Sequence, residues 1–281
     1  MRRLWIVVIV LVSLATLGGL GFAVANLIGS GDLTTDHRGT DGDVGPIVLE
    51  DDDFGTVEMY EVDDAGALNP TPASDSLTAS VWATFVRVAT PEFAADVMIE
   101  YQVGDAPDSD TLAYVHRSDD PEYWVRAANL ASSDDLATLV PTLIHEYSHI
   151  LTLSTEQIDP DAASCSTLEL DEGCANPEST MQRFEEQFWA GYTDAPDASN
   201  SSWDVTDAFY AEHSEDFVSD YAATNVVEDV AESFMTFVME DRPTGDSVVA
   251  AKLEFFWAVP EYVAIRERIR AEFASDLGLV P

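Results

Sequence analysis

The pentapeptide His145-Glu146-Tyr147-Ser148-His149 constrains this chain more than any other feature, because it sets two imidazoles and a carboxylate inside an apolar, helix-forming run. Leu136, Leu139, Val140, Leu143, Ile144, Ile150, Leu151 and Leu153 flank it, so the helix has to be buried. Helical residues four apart share a face, about 5–6 Å from one another. His145 and His149 can therefore converge on one ion at roughly 2.0–2.1 Å each. Glu146 points to a neighbouring part of that face, where its carboxylate can take a proton from an attacking water rather than bind the ion. Left unpaired in an apolar setting, these groups would cost about 1–3 kcal/mol each, and a metal removes that penalty. The bland alternative is a pair of core histidines that meet by accident. With five histidines in 281 residues, a chance HExxH is a rare coincidence. Ser132 or Ser133, ahead of Asp134-Asp135, is the expected cap and dipole complement. Pro141 should either kink the helix or mark its true start, leaving 133–139 as a separate turn.

Two histidines leave a zinc site one protein ligand short. An extended site would need glycine and histidine at positions 152 and 155, where this chain has Thr152 and Thr155. The third ligand must come from elsewhere. The best candidate lies in the run from Tyr221 to Phe234, which reads as a capped amphipathic helix with Val227, Val230, Ala231, Phe234, Phe237 and Val238 facing inward. Glu228 and Glu232 share a face of it, and a carboxylate from a second helix completes a His-His-Glu site. Asn225-Val226-Val227-Glu228 also fits a capping box, in which Glu228 would only bond the helix start. His213, Asp216, Asp220 and His116 are the fallback ligands. His213 sits in an acidic, surface-like stretch that favours a solvated ring.

The spacing Tyr-x-x-Thr-Asn-x-x-Glu-x-x-Ala-Glu-x-Phe over 221–234 resembles the distal motif of the anthrax lethal factor catalytic domain and its relatives, a gluzincin-type zincin group that includes secreted Pro-Pro endopeptidases. The resemblance covers two short segments. It implies His145, His149 and Glu228 as zinc ligands, Glu146 as general base, and Tyr221 as the phenol that hydrogen-bonds the oxyanion. Glu232 matches an acidic position one turn beyond the ligand, where it would orient a histidine. The stretch between the motifs is longer here and holds a cysteine pair, so substrate preference does not transfer.

Leu4 to Ile28 are free of charge, with Arg2-Arg3 before them and Asp32 after. At 1.5 Å per residue such a helix is about 37 Å long, enough to span a bilayer, and the arginines favour keeping the short end in the cytoplasm. A cleaved signal peptide, with Ala23-Val24-Ala25 as its processing site, is the competing reading. Both readings place the remainder outside the cytoplasm, on the cell membrane or secreted. Cys165 and Cys174 agree with that compartment. A disulfide between them would contribute roughly 2–3 kcal/mol by closing a short loop, whereas their spacing is wrong for a zinc knuckle. This loop follows the HExxH helix and is expected to rim the active site. Twelve basic residues against 53 acidic ones give a net charge of −41, with Lys252 the only lysine. Repulsion excludes nucleic acid as a partner; most of the carboxylates should be solvated.

Residues 29–76 read as an acidic spacer, with short strands at Ile47–Leu49 and Val57–Val62. The folded domain is expected over 77–281: a helix at 77–88, strands at 97–103, 111–116 and 123–128, the HExxH helix, and then helices at 180–192, from about Asp204, around Glu228, and two more broken by Pro260. This is an α+β, zincin-like order, with a small mixed sheet in the upper lobe and a mostly helical lower lobe. In that family the strand nearest the cleft pairs with extended substrate, and Tyr123–Ala128 is the expected counterpart. The expectation is an extracytoplasmic zinc endopeptidase acting on protein or peptide. Its rivals are an envelope-binding module that holds zinc without catalysis and a zinc hydrolase of cell-wall amides. A fourth protein ligand would favour the binding module.

Overall fold

The computed structural model describes Gly45 to Leu279; the apolar segment 4–28 and residues 29–44 lie outside the described residues. A mixed sheet forms the first layer. Its strands are β1 (Ile47–Asp51), β2 (Gly55–Val62), β3 (Leu68–Asn69), β4 (Met98–Gly104), β5 (Ala113–Arg117) and β6 (Trp124–Asn129). The order is β1-β2-β4-β6-β5, with β3 beside β2; β4 and β6 run parallel and the other pairs antiparallel.

The sheet corrects the expected boundary at Leu77. Residues 47–69 are not a solvated spacer but a ribbon hydrogen-bonded to β4, with Val57, Tyr60 and Leu68 buried. Acidity hid this. Val57 and Tyr60, three residues apart, face opposite sides of the strand, Val57 packing with Phe54 and Tyr114 and Tyr60 entering the main core, while Glu58 and Glu61 are exposed. The acidic run at 50–53 is turn chemistry, since Asp51 Oδ1 accepts from the amides of Asp53 and Phe54 at 2.9 and 2.7 Å. Gly104 admits this ribbon, because a Cβ there would overlap the side chain of Phe54. A second correction concerns the cleft-side strand. Tyr123–Ala128 is not an edge: β6 lies between β4 and β5 and is buried along its whole length, so β5 forms that border of the sheet.

Helices α1 (Leu77–Ala89), α2 (Pro91–Val97) and α3 (Leu136–Thr152) pack with the sheet. The cap of α3 is Asp135, whose Oδ1 accepts from the Ala137 amide at 3.2 Å, and not Ser132 or Ser133; Ser133 instead donates to the Asn129 carbonyl at 2.6 Å. The helix starts at Leu136, so Pro141 lies inside it and 133–139 is not a separate turn. A small three-stranded sheet follows, with β7 (Ile158–Asp159), β8 (Glu169–Leu170) and β9 (Gly173–Ala175) in the order β7-β9-β8. The Cys165–Cys174 disulfide ties this loop region together.

The rest is helical: α4 (Thr180–Phe184) running into a π-helical turn at Glu185–Trp189, α5 (Trp203–His213), α6 (Val226–Met239), α7 (Val248–Trp257), α8 (Pro260–Glu272) and α9 (Ala274–Leu277). Within the segment expected as a helix at 180–192, Phe184 and Trp189 are buried in the core. Helix α6 packs more extensively against α3 than against any other helix, which brings the two motifs together. Among the described residues, no helix is long and apolar enough to cross a membrane.

Candidate metal centre

Helix α3 buries its HExxH face, and α6 lies across that face. His145, Glu146, His149 and Glu228 are each at most 1% exposed. His145 Nε2 lies 3.0 Å from His149 Nε2 and 3.1 Å from Glu228 Oε2, and His149 Nε2 lies 3.6 Å from the same oxygen. Glu228 does not cap its helix. Asn225 does so alone, its Oδ1 accepting from the amides of Val227 and Glu228 at 2.8 and 3.0 Å, which frees the Glu228 carboxylate to face the histidines.

Neighbouring groups fix the ring of His145. Its Nδ1–H donates to Glu232 Oε1 at 2.9 Å, and Glu232 Oε2 in turn accepts from Ser219 Oγ at 2.6 Å. That bond leaves Nε2, which is directed at a second imidazole and a carboxylate, to carry either a proton or a metal ion. Neither Glu228 oxygen accepts a well-formed hydrogen bond, and both oxygens of Glu146 are likewise buried without a partner. Imidazole nitrogens and carboxylates crowded together away from water require a cation between them, a proton or a metal ion. Burial opposes a charge on His145, yet Glu228 and Glu232 outweigh it and raise its pKa to about 10. Burial likewise works against ionised Glu228, but His149 and His145 prevail and hold its pKa at about 2. The same field favours any cation at this point. Two imidazoles and one carboxylate, with their ligand atoms all within 4.8 Å of one another, are the donor set a zinc ion takes.

Comparison of the chain with protein-family models, curated proteins and solved structures finds no match.

Tyr221 sits in a 3₁₀ turn just before α6, its ring 5.9 Å from that of His145. Burial, with Glu228, Glu146 and Glu232 nearby, raises its pKa well above the ordinary value. Burial also raises the pKa of Glu146, against the pull of His145, His149 and Arg126. The fallback ligands are engaged elsewhere. His213 pairs with Asp194 at 3.2 Å, Asp216 accepts from the Tyr192 hydroxyl, Asp220 accepts from the Tyr221 amide, and His116 Nδ1 lies 2.9 Å from the Arg117 carbonyl.

Several participants escape a reading of the sequence. Ser219 had no motif to mark it. Arg126, fully buried against the rings of Phe85 and Tyr101 at 5.1 and 5.2 Å, acts electrostatically on Glu146 from the interior strand β6. Glu172, in the β8–β9 turn, has its pKa raised by burial against the pull of His149 and Arg117, and its carbonyl accepts from Arg117 Nη1 at 3.4 Å. Next to the candidate ligand Glu228, Asp229 forms a fully buried pair with Lys252 at 2.6 Å and accepts from Trp189 Nε1 at 2.8 Å. The sole lysine, inside an apolar helix, was the available signal.

Proposed function

We propose that this chain is an extracytoplasmic zinc-dependent endopeptidase of the gluzincin type. One observation carries the reading: three buried ligand atoms converge from two helices beside a buried carboxylate that has no partner of its own. His145, His149 and Glu228 would hold the zinc, which supplies Lewis acidity to the scissile carbonyl and to the attacking water. Three protein ligands leave a coordination position open, as catalysis requires.

The remaining work falls to side chains. Glu146 takes the proton of the attacking water on its carboxylate and hands it to the leaving amine; burial favours the protonated form it passes through. Tyr221 keeps its phenol proton because its pKa is raised, and donates it as a hydrogen bond to the developing oxyanion. Glu232, braced by Ser219, orients the ring of His145. The Cys165–Cys174 disulfide agrees with an oxidising compartment, as does the apolar segment near the N-terminus, which would anchor or export the chain.

Zinc content and endopeptidase activity of the full chain on a mixed peptide library, beside a Glu146→Ala control, test the reading. Zinc-dependent cleavage that disappears in the control supports it; absence of cleavage by the zinc-loaded chain overturns the peptidase assignment.

A further inference from the structure

We propose that Trp203 is the wall of a substrate subsite that takes a bulky apolar side chain within two residues of the scissile bond, an inference that rests on the peptidase reading above. Trp203 is the first residue of α5 and is 44% exposed. A single exposed apolar residue is ordinary on a protein surface. This one is distinguished by its neighbour. Its indole lies 6.1 Å from the ring of Tyr221, inclined at 43°, and Tyr221 lies 5.9 Å from the ligand His145. The three rings lead from the buried ligands outward to solvent. From the other lobe, half-buried Leu112, in the β4–β5 connection, packs against the same tyrosine. The phenol expected to meet the oxyanion is therefore bordered by apolar surface from both sides.

The position of Trp203 is braced from the metal-bearing helix. Asn200 Nδ2 donates to the Thr224 carbonyl at 2.9 Å, and Asn225 Nδ2, on the cap of α6, donates to the Asn200 carbonyl at 3.0 Å. Two residues separate Asn200 from the tryptophan, so the cap that aims Glu228 also sets the indole. An extended substrate advances about 3.3 Å per residue, and a side chain one ring beyond Tyr221 belongs to the residue at the scissile bond or its immediate neighbours. Asp204 and Asp207, one position and one turn beyond Trp203 on α5, disfavour an acidic side chain there in a chain of net charge −41. A partly exposed tryptophan gains most from being covered by a large apolar group, and tryptophan dominates such contacts energetically.

The test compares capped peptides carrying phenylalanine or alanine at each position around a cleaved bond, with the full-length zinc-loaded chain and its Trp203→Ala and Trp203→Phe variants. Binding of the same peptides to the Glu146→Gln chain, with and without Trp203→Ala, is measured by calorimetry. The expected result is a preference of at least about tenfold for phenylalanine at one position, in kcat/KM and in Kd. Trp203→Ala should bring the ratio close to one with zinc content unchanged, and Trp203→Phe should keep most of it. Cleavage without such a preference, or a preference that survives Trp203→Ala, overturns the subsite and leaves the peptidase standing. Trp203-dependent binding without any cleavage overturns the peptidase and, with it, the place of the subsite beside a scissile bond, leaving Trp203 only as the wall of a peptide-binding site; neither binding nor cleavage overturns both.

Discussion

Among the described residues, two groups bring imidazole and carboxylate ligand atoms within 4.8 Å of one another: two histidines and one carboxylate inside (His145, His149 and Glu228), and one histidine and two carboxylates outside (Asp194, Glu212 and His213). Their ligand types are similar but their physics differs. The outer histidine pairs with Asp194 at 3.2 Å, with side chains 24% and 47% exposed, and water solvates what the pair leaves over. Such a pair contributes little. The inner groups are at most 1% exposed and have no water to turn to. On so acidic a surface, convergence of carboxylates is a common accident; inside, it has to be built. The building is visible in the Asn225 cap, the Ser219–Glu232–His145 relay and the buried Lys252–Asp229 pair.

The contrast breaks first at the ligands. His149→Ala or Glu228→Ala should abolish both zinc binding and turnover, whereas Asp194→Ala and Glu212→Ala should leave both near the wild-type level by metal analysis and peptide assay. Retained zinc in Glu228→Ala would equate the two clusters. Glu146→Gln separates metal from chemistry: turnover should fall by about 10²–10⁴-fold, the usual worth of a general base, with zinc still bound.

Next in size is the scaffold. Asp229→Ala strands the ammonium of Lys252 in the core and should lower stability by about 3–5 kcal/mol in urea denaturation. Replacing both partners, Asp229→Leu with Lys252→Met, should lower it less. Glu232→Gln should weaken zinc affinity by about 10–100-fold, the typical worth of a ligand's supporting carboxylate, measured by competition with a chelator.

The smallest effect is expected at the surface. Arg87 hydrogen-bonds Asp276 at 2.8 Å and lowers its pKa below 3.8. That contribution to stability is present above the ordinary carboxylate pKa and fades as pH falls through the lowered one. Asp276→Asn should remove a slight part of the acid-side loss of stability and leave the neutral-pH profile unchanged.

How much was legible depended on how local the signal was. Helices α1, α3, α5 and α6 followed from apolar periodicity, and His145, Glu146 and His149 from a five-residue motif. Whether Glu228 capped its helix or faced the histidines could not be read locally, because the same four residues suit both roles; packing of α6 on α3 separates them. The β1–β2 ribbon was masked by composition, since Glu58, Glu61 and the 50–53 run look like spacer until β4 is there to pair with. The interior place of β6 depends on a parallel pairing with β4, a long-range fact with no local mark. Arg126 and Lys252 are charged yet lie in the core, Arg126 against Phe85 and Tyr101 and Lys252 against Phe217, contacts made with segments distant in the sequence.

The most direct test of the central claim is an anomalous difference map at the zinc edge from crystals of the full chain grown with zinc. The account expects one strong peak within about 2.0–2.2 Å of His145 Nε2, His149 Nε2 and a Glu228 oxygen, with no fourth protein ligand. A peak at Asp194, Glu212 and His213 instead, or no peak between the two helices, would contradict it.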